Sequence, residues 1–117
     1  MAAILIKRIY LLAERSDGVR ILVDRLWPRG VSKAAAKLDL WLKEIAPSTG
    51  LRQWFHNTDD TDRWEQFKAK YLLELTQNPS VAELKDIIGH NDTVTLLYAV
   101  NDEHHNHALI LKEFIAG

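Results

Sequence analysis

Cysteine is missing altogether from the 117 residues. Disulfides, cysteine-ligated zinc, iron–sulfur clusters and thiol nucleophiles are excluded with it. No apolar run approaches the roughly 20 residues that span a bilayer. Lys7 and Arg8 also interrupt the N-terminus where a signal peptide needs its apolar stretch. A cytoplasmic protein with no membrane partner is therefore expected. There is no glycine-rich phosphate loop, no nucleophile elbow and no Ser/His/Asp order at usable spacing, so the standard nucleotide-binding and hydrolase signatures are absent. Repeats, low-complexity stretches and linkers are absent too. A large charge of one sign is also lacking: the net charge is −1, which excludes a wholesale polyelectrolyte attraction to nucleic acid.

What is present is the balance of an ordinary folded protein, 47% hydrophobic and 26% charged. The length suits one core, and residues 1–117 are read as a single domain. Charge is unevenly spread. Residues 7–33 carry a balance of +4, residues 34–55 add +1, and residues 56–117 carry −6. The two halves can attract each other across the fold, or a few arginines can face an anionic ligand.

Ala3 to Tyr10 reads as a first strand and Val19 to Asp24 as a second, separated by the turn signal Ser16-Asp17-Gly18. The short connection favours adjacent strands. Leu38, Leu40, Trp41, Leu42 and Ile45 form an apolar helical face ended by Ala46-Pro47. Ser48 caps a short helix bearing Leu51, Trp54 and Phe55. Trp64, Phe67, Tyr71, Leu72 and Leu75 recur at helical spacing, with Asp60 or Thr61 as the cap. Pro79 opens another helix that stops at Gly89. Thr93 to Val100 is the clearest strand, and a last helix begins near Asn106. The fold class is α/β: a small mixed or mostly parallel sheet of three to four strands flanked by four to five helices.

In open α/β sheets, sites collect where loops leave the carboxyl ends of strands. Two such loops are chemically dense, Asp24-Arg25-Leu26-Trp27-Pro28-Arg29-Gly30 and Asn101-Asp102-Glu103-His104-His105-Asn106-His107. If the second and last strands are parallel neighbours, the loops meet. Arg25 and Arg29 offer guanidinium forks that match phosphate or carboxylate oxygens. Trp27 offers a stacking face, and Asp24 sits at the rim of the sheet. Imidazole suits proton transfer near neutral pH. His107 and Asp24 are thus the candidate catalytic pair, and Arg25, Arg29, Trp27, Asn106, Tyr98 and Asp102 the candidate ligand-binding set. His56 is a further residue within possible reach. Three histidines lie within four residues, but a metal needs three or four converging ligands, so no metal and no cofactor are assigned.

The segments Val23-Asp24-Arg25-Leu26-Trp27-Pro28-Arg29-Gly30-Val31, Leu51-Arg52-Gln53-Trp54-Phe55-His56 and Thr93–Ala99, followed by Asp102-Glu103-His104 and Asn106-His107-Ala108, closely resemble the YeaO-like proteins. These are small bacterial members of a broader family of unknown function, and the resemblance covers nearly the whole chain. The resemblance implies no established activity. In the broader family the segment matching Asn106-His107-Ala108 often reads cysteine, histidine, arginine. Here only His107 matches, so any thiol chemistry of relatives has no counterpart.

Three readings follow. The first is an anion-binding cleft of phosphate or nucleotide type with possible acid/base chemistry, its partner a phosphorylated small molecule or nucleic acid. The second is a non-catalytic module that binds nucleic acid or protein through Arg15, Arg20, Arg25 and Arg29. The third is a polar network of Asp24, Arg25, Asn106 and His107 that only locks the last helix to the sheet.

Overall fold

A computed structural model describes residues 2–117. Four strands form one sheet, β1 (Ala3–Arg8), β2 (Val19–Leu22), β3 (Leu40–Trp41) and β4 (Thr93–Tyr98), in the spatial order β1-β4-β2-β3. Every pairing is parallel, with Ile6 opposite Leu96 and Ile21 opposite the same residue from the other side. The helices are α1 (Lys33–Ala36), α2 (Thr49–Asn57), α3 (Arg63–Thr76), α4 (Ser80–Gly89) and α5 (His107–Ala116). The expected α/β class and parallel sheet are observed.

β4 takes the centre because its residues from Val94 to Tyr98 are all buried, as a strand covered on both faces requires. That placement corrects the expectation that β1 and β2 are neighbours: β4 lies between them. The link from β1 to β2 crosses over through a short turn at Arg15–Asp17, and Thr95 Oγ1 donates to the Asp17 carbonyl at 2.6 Å to hold it there. Gly18 closes the crossover at φ +63°, and a Cβ on it would stand 2.2 Å from the Thr93 carbonyl oxygen. Gly18→Ala is therefore expected to cost about 1–3 kcal/mol through overpacking and backbone strain, read as a lower urea midpoint with unchanged slope. A midpoint equal to wild type would refute this account of the crossover.

The stretch expected as one helix over Leu38–Ile45 divides instead into the strand β3 and a single 3-10 turn at Lys43–Ile45. The α-helical turn lies earlier, at Lys33–Ala36, capped by the Ser32 hydroxyl on the Ala35 amide. Lys37 then turns left-handed, and Leu40–Trp41 joins the sheet edge. Backbone bonds from Asp39 N to Arg20 O and from Leu42 N to Leu22 O fix this segment, and the Asp39 carboxylate accepts the Arg20 amide. Pairing with β2 satisfies its backbone and outweighs its helical spacing. α3 also starts later than its expected caps. Asp62 holds the N-cap position and accepts Gln66 Nε2 at 2.7 Å instead of an amide of its own helix. The Ser48 cap of α2 is observed, on the Leu51 amide at 3.1 Å.

The main core lies between one sheet face and α2–α5, around Ile21, Val23, Leu96, Tyr71, Leu84 and Leu111. A smaller cluster of Ile9, Leu22, Ala36 and Leu97 fills the other face.

Candidate functional site

Because β2 and β4 run parallel side by side, their carboxyl ends open onto the same rim. The two dense loops meet there, as their placement in the sequence led one to expect. Between them lies a cleft of about 420 Å³. Asp24, Arg25, Trp27 and Arg29 line it from the β2 loop, and His105, Asn106 and His107 from the β4 loop. α2 and α3 form the remaining wall with Arg52, Phe55, His56, Trp64 and Phe67. A larger hollow of about 760 Å³ sits at the opposite end of the sheet, between the start of β1 and the ends of α4 and α5. It carries Lys85, Lys112 and His90 beside Asp92 and no Phe, Tyr or Trp, so it lacks the chemistry gathered in the smaller one.

Asp24 and His107 come together on the cleft floor. Asp24 Oδ2 accepts the Ala99 amide at 3.0 Å, tying β2 to β4 just past their last paired residues. His107 Nε2 lies 2.9 Å from the Val23 carbonyl and 3.1 Å from Asp24 Oδ1. A carbonyl only accepts, so Nε2 carries the proton and aims it at Val23. Asp24 Oδ1 is shut off from water and keeps no aligned hydrogen bond, with His107 as its close neighbour. Asn106 is 2% exposed, and its Oδ1 caps α5 through the Leu109 amide at 2.8 Å. These contacts join the ends of β2 and β4 to the start of α5.

The arginines divide into two kinds. Arg25 is occupied: its Nε donates to Pro47 O at 3.2 Å, one terminal nitrogen donates to Ala46 O at 3.1 Å, and Glu44 lies 3.6 Å away. Among the described residues, no ion pair engages Arg29 or Arg52. Arg29 is exposed and Arg52 half-buried. Trp27 lines the cleft, donates Nε1 to Val31 O and packs its ring against the edge of Trp41 at 5.4 Å.

Two members of the ligand-binding set lie elsewhere. Tyr98 is 3% exposed in the main core and does not line the cleft. Burial, and then the nearby Glu103 carboxylate, raises its phenol above the ordinary value, so it stays protonated. Asp102 also lies outside the lining. Its Oδ1 accepts the amides of His104 and His105, both at 2.9 Å, in a local turn. The His105 amide foremost, then that of His104, holds its carboxyl below the usual range. Among the described residues, no three His, Asp or Glu side chains converge as metal ligands. No helix among them is long and apolar enough to cross a membrane.

Arg52 was not foreseen. Its signal is the α2 spacing Arg52, Phe55, His56, one helix face that lines the cleft.

Comparison with known proteins places nearly the whole chain in one family. The sequence pattern of the DUF488-N3i family, described as "Inactive DUF488-N3 subclade", matches residues 3–117. The chain belongs to this family. It is YeaO-like: "Uncharacterized protein YeaO" of Escherichia coli (strain K12) is 45% identical over 109 residues, covering 93% of each chain. "Uncharacterized protein Rv3073c" of Mycobacterium tuberculosis (strain H37Rv) is 34% identical over 112 residues, covering 96% of this chain and 92% of its own. "Uncharacterized protein Mb3100c" of Mycobacterium bovis matches to the same extent. No solved structure matches the chain. The family match includes both cleft loops and the α2 wall.

Proposed function

We propose that this DUF488-N3i protein is a cytoplasmic, non-catalytic binding protein whose cleft takes an anionic group of phosphate type. One observation carries the reading. Three arginines and three histidines gather on a cleft where, among the described residues, Asp24 is the only acidic lining residue, in a chain with a net charge of −1. Guanidinium groups without ion-pair partners match phosphate oxygens in charge and in fork geometry. The first turn of α5 opens on the same rim and adds its positive end. The partner is a phosphorylated small molecule or nucleic acid.

Binding without turnover fits the floor of the cleft better than acid/base catalysis does. The His107 Nε2 proton is held by the Val23 carbonyl, and Asp24 is tied to the Ala99 amide. The family description "Inactive" points the same way. Asp24, Asn106 and His107 thus serve as the frame, which keeps part of the structural-network reading, while Arg29 and Arg52 meet the ligand. An open patch of Arg15, Arg20, Arg25 and Arg29 is less well supported, because Arg20 is 5% exposed and bound to Asp17 and Ala36.

Thermal denaturation with inorganic pyrophosphate is the test. At a hundredfold excess over Kd the ligand adds about 2.7 kcal/mol, read as a rise in Tm that shrinks as salt screens the contact. A Tm indifferent to pyrophosphate at low salt overturns the reading.

A further inference from the structure

We infer that the anion is carried on a planar aromatic ring, a nucleotide, and that His105 is the residue that stacks on the base. The inference rests on the anion-cleft reading and adds the second half of the ligand. Three rings stack outward from the core along one wall of the cleft. Buried Phe67 lies 5.4 Å from Trp64 at 20°, and Trp64 lies 4.7 Å from His105 at 17°. Trp64 is therefore flanked by two near-parallel rings, one buried and one exposed. His105 is exposed and ends the series at the cleft, so its outer face is the place where the next ring continues the stack.

His105 is held for this task. The Asp102 carboxylate accepts its amide and that of His104, and Asn106 Nδ2 donates to the Asp102 carbonyl at 3.0 Å. The ring is thus presented on a fixed turn, which lowers the entropy lost on stacking. Arg29 and Arg52 on the same cleft supply the phosphate contacts. A volume of about 420 Å³ lies in the range of small-ligand pockets and suits a single nucleotide unit. Aromatic stacking tolerates any base, since every base has a π face, so selectivity among bases is not implied.

Calorimetric titration with ribose 5-phosphate, adenosine 5′-monophosphate and a 5′-phosphorylated single-stranded tetranucleotide tests the inference. The nucleotide should bind about tenfold or more tightly than the sugar phosphate in the wild type. His105→Ala should bring that ratio to about one, while His105→Phe keeps the ratio. Equal affinities in the wild type, or a ratio that survives His105→Ala, overturn the stacking role while the anion reading stands. If ribose 5-phosphate and nucleotide both fail to bind, the anion reading falls and this inference with it. A tetranucleotide more than tenfold tighter than the monophosphate identifies a strand end as the source, and equal affinity a free nucleotide. Either of these ratios sustains the inference.

Discussion

Asp17→Ala is expected to lower stability by about 3–5 kcal/mol, the usual result of removing one member of a buried ion network. Asp17 is 4% exposed. Its Oδ1 accepts Lys7 Nζ at 3.1 Å, and its Oδ2 accepts Arg20 at 2.6 Å and the Glu14 amide at 2.9 Å. Arg20 in turn donates to the Ala36 and Lys37 carbonyls. Truncation leaves the buried Arg20 guanidinium with no counter-charge and Lys7 with only the exposed Glu14 carboxylate at 3.6 Å. A domain of this size is stable by only about 5–15 kcal/mol, so the loss is a large share, equivalent to roughly 12–20 °C in Tm.

The same residue sets an acid limit. Burial pushes the Asp17 carboxyl up, but the Glu14 amide, Lys7 and Arg20 together outweigh it and hold the group below its ordinary value. A depressed carboxyl stabilises the fold fully above the unfolded-state value of about 4 and loses that contribution as pH falls through the folded value. Urea midpoints should therefore fall between pH 5 and pH 3 in the wild type by more than in Asp17→Ala. Parallel pH profiles for the two proteins would show that Asp17 is not responsible.

The double variant Arg29→Ala/Arg52→Ala should lose pyrophosphate binding by roughly a hundredfold or more, since each charge-assisted hydrogen bond is worth about 1.5–3 kcal/mol. The Tm rise expected for the wild type should then vanish at the same pyrophosphate concentration. Without ligand the fold should be nearly unaffected, because neither side chain joins an ion pair among the described residues and surface changes of that kind stay within about 0.5 kcal/mol. Arg25→Ala makes a poor comparison. It releases the Ala46 and Pro47 carbonyls, so altered binding and altered folding would be mixed. A double variant that responds to pyrophosphate like the wild type would remove Arg29 and Arg52 from the proposed contact.

Much of the fold is readable in the residues because β1, β2 and β4 are short runs of β-branched and apolar residues, whereas α2–α5 carry apolar residues at helical spacing. The segment Leu38–Ile45 fits both patterns. Leu38, Trp41, Leu42 and Ile45 fit a helix face, while Leu38, Leu40 and Leu42 alternate as in a strand. Only the open edge of β2, which takes its backbone bonds, decides between them. The order of β1 and β2 is hidden for a related reason: short connections favour neighbours, but β4, which carries no charged residue, comes last in the chain and takes the centre. The site shows the same division. Its two loops are legible because they follow the strands β2 and β4, and parallel pairing brings those ends together. The spacing of Arg52, Phe55 and His56 marks one face of α2, but that this face meets the rim, and that Trp64 stacks on His105, are tertiary facts with no local signature. Tyr98 shows the converse, since at the end of a strand one residue's alternation decides between cleft and core.

Amide and arginine side-chain chemical shifts, followed by NMR during titration with pyrophosphate, test the central claim most directly. Changes concentrated at Arg29, Arg52 and His105–His107, saturating with a single Kd, are predicted. No saturable change, or changes confined to Lys85 and Lys112 at the far end of the sheet, would contradict it.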